Sequence, residues 1–316
     1  MRIVLASMTL KPEVIAGLRP AGGAALTVTD DEISTIEALA GADALVLSDN
    51  AYTPDLAKAA CRAPSLEWMQ IVTAGYDNAT RLGVPKGATI TSVGDAFSPS
   101  VAVHAVALML ALQRGVPRMV ENKPRREWDR GLAGSMVMPE GKTLVIVGYG
   151  SIGQDVARMV APLGMKVIGL NRTGAPHPLA AEVHKIEALA RMLPRGDVVL
   201  AAAPLNPATV GIIGARELAL MKPTAFLLNI SRGKLIDTMA LSEALKAGRI
   251  AGAALDVTEP EPLPPDHPLW SAPNLIVSPH VAGSAGPYGV ERQIERVSAN
   301  LRSFLAGEPL RHVVKP

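Results

Sequence analysis

The stretch TLVIVGYGSIG, residues 143–153, decides the fold. Thr143 and four apolar residues read as a strand, which runs straight into Gly148-Tyr149-Gly150-Ser151-Ile152-Gly153. A helical pattern over 151–162 follows. In this G-x-G-x-x-G order each glycine has a separate physical role. The first permits a tight turn, the second lets backbone approach a pyrophosphate, and the third lets helix and strand pack closely. A diphosphate would then sit on unpaired amides at the positive end of the helix. Such a motif alone is weak, but here a strand precedes it, a helix follows, and a second strand ends at the expected distance. The alternative is an ordinary strand–helix turn.

That second strand closes on Asn171-Arg172-Thr173, where a site for NAD would carry Asp or Glu. An acid there would accept from the ribose 2′-hydroxyl and repel a 2′-phosphate, whereas Arg172 with small polar neighbours suits the phosphate. NADP(H) is therefore the expected coenzyme and NAD(H) the second choice. The competing reading leaves Arg172 stacked on adenine or facing solvent.

Outward from this point, apolar runs alternate with helical patterns. Downstream, 143–147, 165–170, 197–201, 225–230, 250–256 and 275–277 read as strands, with helices over 151–162, 185–193, 214–221 and 237–247. Upstream, 3–6, 44–47 and 66–71 read as strands, with helices over 12–18, 32–39 and 54–61. Alternation of this kind predicts parallel sheets. A single apolar helix is expected from Ser98 to about Val120, with Pro99 in its first turn. Residues 122–141 then lose periodicity and read as an arm or linker, and a last helix is expected over 288–306. The fold class is α/β, with two doubly wound parallel-sheet domains, the first and last segments sharing one of them.

The chain has 316 residues, which suggests two domains. Hydrophobic residues make up 48% and charged residues 19%, a globular composition that excludes disorder. A net charge of +2 without blocks of like charge gives no expectation of nucleic-acid or membrane partners. Cys61 is the only cysteine, so no disulfide framework or paired-cysteine metal site is expected. His177, His184, His267 and His312 form no ligand spacing, and no metal is expected. Only eight uncharged residues separate Arg2 from Lys11, too few for a secretory segment, so the expected location is cytoplasmic.

Three strand ends carry the candidate chemistry. Arg232 lies in NISRG, Glu261 in DVTEPEPLP, and His280 in VSPHVAGS. Ligands of open α/β sheets bind at the carboxyl ends of strands, which places all three toward one crevice. A guanidinium can hold a carboxylate bidentately and polarise the adjacent carbonyl. An imidazole can give that carbonyl a proton, and a carboxylate beside it can fix the ring. By residue type alone, a surface arginine, a loop glutamate and a turn histidine without mutual contact is the simpler reading.

Together with GYGSIG, the segments TAGYDN, VAVH, AAPLNPAT, NISRG, ALDVTEPEPLP, PLW and PNLIVSPHVAGS resemble the D-isomer-specific 2-hydroxyacid dehydrogenase family nearly end to end. The resemblance implies a Rossmann-type coenzyme domain, residues 98–286, inserted in a flavodoxin-like substrate domain, residues 1–97 plus 287–316. It implies that Arg232, Glu261 and His280 are catalytic, and that the Ala74 and Gly75 amides bind the substrate carboxylate. Asp256 becomes the acceptor for the nicotinamide amide. Ala203, Pro204, Thr209, Ile230, Ser231 and Gly283 join the fingerprint and residues 171–173 as coenzyme contacts. The implied reaction is reduction of a small 2-oxo acid such as glyoxylate or hydroxypyruvate to the D-2-hydroxy acid. A homodimer is implied, with Trp128 of the 122–141 arm at its interface. A dinucleotide-sensing scaffold is the second reading, since transcriptional corepressors resemble the same family. Val103 departs from the family's usual acid, and Glu261 argues against formate dehydrogenases, which carry Gln there. His104 is expected to be a satisfied buried histidine, and Asn50 and Tyr52 to line the pocket.

Overall fold

The computed structural model describes residues 1–18 and 24–315. In chain order the elements are β1 (Arg2–Ala6), α1 (Pro12–Gly17), β2 (Ala25–Thr29), α2 (Glu32–Ala38), β3 (Ala44–Leu47), α3 (Pro54–Arg62), β4 (Trp68–Ile71), α4 (Asp77–Leu82) and β5 (Thr89–Thr91). There follow α5 (Ser98–Gln113), α6 (Val116–Arg125), β6 (Thr143–Val147), α7 (Ser151–Val160), β7 (Lys166–Asn171), β8 (Glu182–Lys185), α8 (Leu189–Met192) and β9 (Val198–Ala201). The chain closes with α9 (Ala215–Leu220), β10 (Phe226–Asn229), α10 (Thr238–Lys246), β11 (Gly252–Leu255), β12 (Leu275–Val277) and α11 (Gly286–Ala306). These elements form two units, Met1–Phe97 with Ala285–Pro316, and Ser98–Ser284.

The first unit is a parallel sheet of order β2-β1-β3-β4-β5, the flavodoxin-like arrangement. Val4, Leu45 and Met69 pack on one face with Leu56 of α3, while Ile3, Leu5 and Trp68 pack on the other with Val297 and Leu301 of α11. A buried polar chain ties α11 to the strands. Trp68 Nε1 donates to Thr91 Oγ1 at 2.8 Å, Thr91 donates to Gln70 Oε1 at 2.9 Å, and Asn300 Nδ2 reaches the same oxygen at 2.9 Å. Tyr52, expected to line a pocket, is instead fully buried in this core, with its hydroxyl donating to Gly83 O. Burial, with Cys61 adding to it, pushes that phenol well above its ordinary range. Asn50 is exposed.

The second unit is a seven-stranded parallel sheet of order β12-β11-β10-β9-β6-β7-β8. The chain runs outward from β6 through β7 to β8, then returns to β9 and continues the other way. The reversal between β6 and β9 is the topological switch point of a doubly wound sheet. At the opposite ends of these strands, Asp197 accepts from Thr143 N and Lys222 Nζ, each at 2.8 Å. Burial opposes its charge, and the bonds from Lys222 and Thr143 outweigh burial, holding the carboxyl below its usual range.

The single helix expected from Ser98 to Val120 is two helices, α5 and α6, bent by 63°. Gly115 adopts a left-handed φ of +67°, which ends α5, and Pro117 starts the next helix in its first turn. α6 buries none of its residues and extends to Arg125, into the segment expected to be irregular. Among the described residues, no single helix is long and apolar enough to cross a membrane. Strands β2, β5 and β8 lie at sheet edges and escape a search for apolar runs.

Replacing Thr91 with Val leaves the Trp68 indole N–H unpartnered in a dry core, a change that costs about 1–3 kcal/mol. The Thr91→Val midpoint of urea unfolding should fall accordingly; a wild-type midpoint would remove this chain of bonds from the account of unit stability.

Candidate active site

Gly148 has a φ of +98°, and a Cβ there would stand 2.2 Å from the Ala203 amide nitrogen. The turn after β6 therefore lies directly against the segment after β9. At Gly153 a Cβ would meet Ile146 Cγ2 at 3.0 Å, so close helix–strand packing depends on this glycine. Gly150 differs, because a Cβ there would meet nothing within 4 Å. The space above Gly150 is open, at the N-terminus of the ten-residue α7, which begins at Ser151. A ligand's phosphates would need that space. The Ser151 hydroxyl accepts from Ser98 Oγ at 3.0 Å, and Ile152 follows in the first turn.

Tyr149 points its side chain into the protein and offers only backbone to this turn. Its ring covers Gly169, where a Cβ would meet Tyr149 Cγ at 2.6 Å. Its hydroxyl lies 3.4 Å from His177 Nδ1. Burial pushes the phenol above its ordinary value against the opposing charge of Arg158.

At the end of β7, Asn171 Oδ1 accepts from Thr173 N at 3.0 Å and Gly174 N at 2.7 Å. The amide oxygen is thus used to shape its own turn. Arg172 and Thr173 are exposed beside it. Pro204 lies in the loop after β9. There Thr209 is buried, with its hydroxyl donating to Pro204 O at 2.7 Å and accepting from Asn206 N at 2.9 Å. Thr209 therefore shapes this loop rather than presenting its hydroxyl outward.

Arg232 follows β10. Asn229 Nδ2 donates to Arg232 O at 2.9 Å, and Ser231 Oγ donates to Ala203 O at 2.6 Å, which fixes the Ile230–Ser231 turn. A Cβ at Gly233 would stand 1.9 Å from Thr258 O. Only glycine lets the Arg232 turn press against the loop after β11, which carries Glu261.

Asp256 ends β11 and is 1% exposed. Its backbone oxygen accepts from His280 N at 2.7 Å. Its Oδ1 accepts from Ser278 Oγ at 2.6 Å and Val281 N at 3.0 Å, and its Oδ2 from Ala282 N at 2.9 Å. Residues 278–282 are thereby wrapped around Asp256, and Gly283 follows directly. His280 adopts a left-handed φ of +53°, sparsely populated for a non-glycine residue and held here by the two bonds from its amide to Asp256 O and Ser278 O. Its Nδ1 lies 2.7 Å from Glu261 Oε1, so the ring donates to the carboxylate and presents Nε2 outward. The pair is partly exposed, His280 by 50% and Glu261 by 38%. Arg232, Glu261 and His280 thus stand at the carboxyl ends of three adjacent strands, β10, β11 and β12.

Two residues the motifs did not single out join Asp256. Ser278 bridges to it, and His104 of α5 lies 3.0 Å from Ser278 Oγ and 3.4 Å from Asp256 Oδ1. The expectation of a buried His104 is corrected, because its side chain is 26% exposed and borders the site. It ends the VAVH segment, but on an apolar helix its residue type alone did not point to a role at the site.

In the first unit, Ala74 and Gly75 lie in the turn after β4. Asp49 holds that turn, accepting from Asn78 N at 2.9 Å and Ala79 N at 3.1 Å, while Thr73 Oγ1 donates to Gly75 O at 2.8 Å. Among the described residues, no group accepts from the Ala74 or Gly75 amide.

The model of the D-isomer specific 2-hydroxyacid dehydrogenase NAD-binding domain matches residues 106–282. The glyoxylate reductase of Thermococcus gammatolerans is 40% identical over 257 residues, covering 78% of this chain and 75% of that one. A solved D-isomer specific 2-hydroxyacid dehydrogenase family protein from Aeromonas salmonicida superposes with a TM-score of 0.85 at 28% identity, over 99% of this chain and 98% of that one. A probable 2-hydroxyacid dehydrogenase from Rhizobium etli, solved with NADP, HEPES and L(+)-tartaric acid, gives 0.83 at 25% identity, again over 99% and 98%. The chain belongs to the D-isomer-specific 2-hydroxyacid dehydrogenase family. It is an oxidoreductase of that class, using a nicotinamide dinucleotide to reduce 2-oxo acids.

Proposed function

We propose that the chain reduces a small, glyoxylate- or hydroxypyruvate-like 2-oxo acid, giving the D-2-hydroxy acid where C2 is chiral, with NADPH preferred. The observation that carries this reading is the 2.7 Å bond between His280 Nδ1 and Glu261 Oε1 at the ends of neighbouring strands. When bound, the nicotinamide supplies the hydride that adds to the carbonyl carbon. His280 gives its Nε2 proton to the carbonyl oxygen, while Glu261 orients the ring and balances its charge before transfer. Arg232 holds the substrate carboxylate and polarises the carbonyl. In the first unit, the Ala74 and Gly75 amides are donors suited to a substrate carboxylate. Gly148–Gly153 take the pyrophosphate and residues 171–173 the adenosine ribose. Ala203, Pro204, Ile230 and Ser231 line the way between, with Thr209 shaping that loop, and Asp256 and Gly283 hold the nicotinamide end.

His280→Ala should lower kcat by about two to four orders of magnitude, the range for losing a general acid, with coenzyme binding retained. Steady-state rates over a panel of 2-oxo acids check this; a wild-type kcat takes His280 out of the reaction. Absence of turnover with every acid in the panel would favour the dinucleotide-sensing scaffold.

Coenzyme preference follows from the end of β7. No acid stands there for a ribose diol, and Asn171 Oδ1 is already used by its own turn. A charge-assisted bond from Arg172 to a 2′-phosphate contributes roughly 1.5–3 kcal/mol, or about one to two decades in kcat/KM, with solvent exposure pulling toward the lower end. Arg172→Ala should weaken NADPH far more than NADH in paired rate measurements. Equal kcat/KM for both coenzymes in the unmodified protein defeats the preference.

A homodimer is proposed through residues 122–141 and helices of the second unit. Trp128 is 91% exposed there, and Val120 and Met138 are exposed nearby in sequence. Large apolar side chains of this kind gain from a partner surface. Light scattering at micromolar concentration should give twice the mass of the 33.0 kDa chain, and a monomer mass rejects the interface.

A further inference from the structure

We propose that His104 is a positioning residue for the nicotinamide end of the coenzyme, acting through Ser278 on Asp256. This rests on the reading of Asp256 as acceptor for the carboxamide. Three bond lengths carry the inference. Ser278 Oγ lies 2.6 Å from Asp256 Oδ1, so its proton is committed to the carboxylate. The hydroxyl oxygen must then accept from His104 Nε2, 3.0 Å away, which places a hydrogen on that nitrogen. The chain runs His104 Nε2–H to Ser278 O–H to Asp256 Oδ1, each bond polarising the next.

The two oxygens of Asp256 are used unequally. Oδ1 receives the Ser278 hydroxyl and the Val281 amide, with His104 Nε2 at 3.4 Å. Among the described residues, Oδ2 receives only the Ala282 amide. A carboxylate oxygen offers about two acceptor sites, so Oδ2 keeps one for an incoming N–H. Turning the carboxylate plane away from this orientation would lengthen the Ser278 bond, so the hydroxyl that His104 supports holds the plane in place. His104 stands on α5, a sixteen-residue helix packed against β10 and β11, so the last support comes from a rigid element rather than a loop.

The expected consequence is selectivity at one substituent of the pyridine ring. A carboxamide offers an N–H to Oδ2, whereas an acetyl group places a methyl there. Calorimetric titration of the full chain with oxidised nicotinamide dinucleotide and with its 3-acetylpyridine analogue reads this directly as a ratio of dissociation constants. The unmodified protein should favour the carboxamide, and His104→Leu should shrink that ratio by about 3- to 10-fold, the worth of one hydrogen bond. His104→Gln, whose amide can reach the Ser278 hydroxyl, should restore much of it. If the Leu variant does not fold, His104→Asn, too short to reach Ser278, is read the same way. A loss of affinity equal for both dinucleotides marks a merely structural histidine and overturns the proposal. Asp256→Asn separates the two levels. A ratio unchanged there overturns the acceptor reading and this inference with it. A ratio lost there but kept in the His104 variant overturns the part given to His104 alone.

Discussion

A single buried carboxylate organises the chemical end of the second unit. Asp256 accepts from Ser278, Val281 and Ala282 through its side chain and from His280 through its backbone. Removing a charge from water is tolerable only when hydrogen bonds replace the lost hydration. Here those bonds come from four of the five residues 278–282 in one loop, so satisfying the charge also fixes the loop. The left-handed backbone of His280 is held by this arrangement, and its ring is aimed by Glu261. The backbone geometry of the histidine is therefore set through Asp256, and its ring through Glu261.

Close backbone approach is the second constraint. Gly148 lies against Ala203, and Gly233 lies against Thr258. These contacts join the turn after β6 to that after β9, and the turn after β10 to that after β11. No side chain fits at either point, so the sheet's carboxyl edge gains its shape from absent Cβ atoms. The parallel order of the strands brings these turns to one edge, as in other doubly wound sheets.

Much of this was legible in the sequence, because its signals are local. The fingerprint fixes strand, turn and helix within eleven residues, and buried strands such as 143–147 and 226–229 lie within unbroken or nearly unbroken apolar runs. Of the four strands at sheet edges, only β12 was legible as an apolar run. ALTVT of β2 alternates and is largely unburied, and EVHK of β8 has polar ends, one side of each strand lacking a neighbour. The break at Gly115, with Pro117 two residues on, lies where the long apolar run of α5 gives way to Gln113 and Arg114, and the apolar residues beyond it suggested that the helix continued. Tyr52 and His104 were misplaced for one reason: burial and partners depend on contacts distant in sequence. Tyr52 reaches Gly83, and His104 reaches Ser278.

The order of segments along the chain has a consequence for biosynthesis. The first sheet is complete in sequence at β5, yet the helix that covers one of its faces is α11, and residues 98–284 lie between. Ile3, Leu5 and Trp68 wait for Val297 and Leu301 to arrive. At about 5–20 residues per second, a ribosome needs roughly 10–40 s to make the intervening unit. Throughout that interval the apolar face has only α1, through Val14, and residues 72–96 to cover it, while the later unit can close its own core. The nascent chain is thus obliged to finish its middle before its beginning, and its first sheet is the surface that a chaperone would meet.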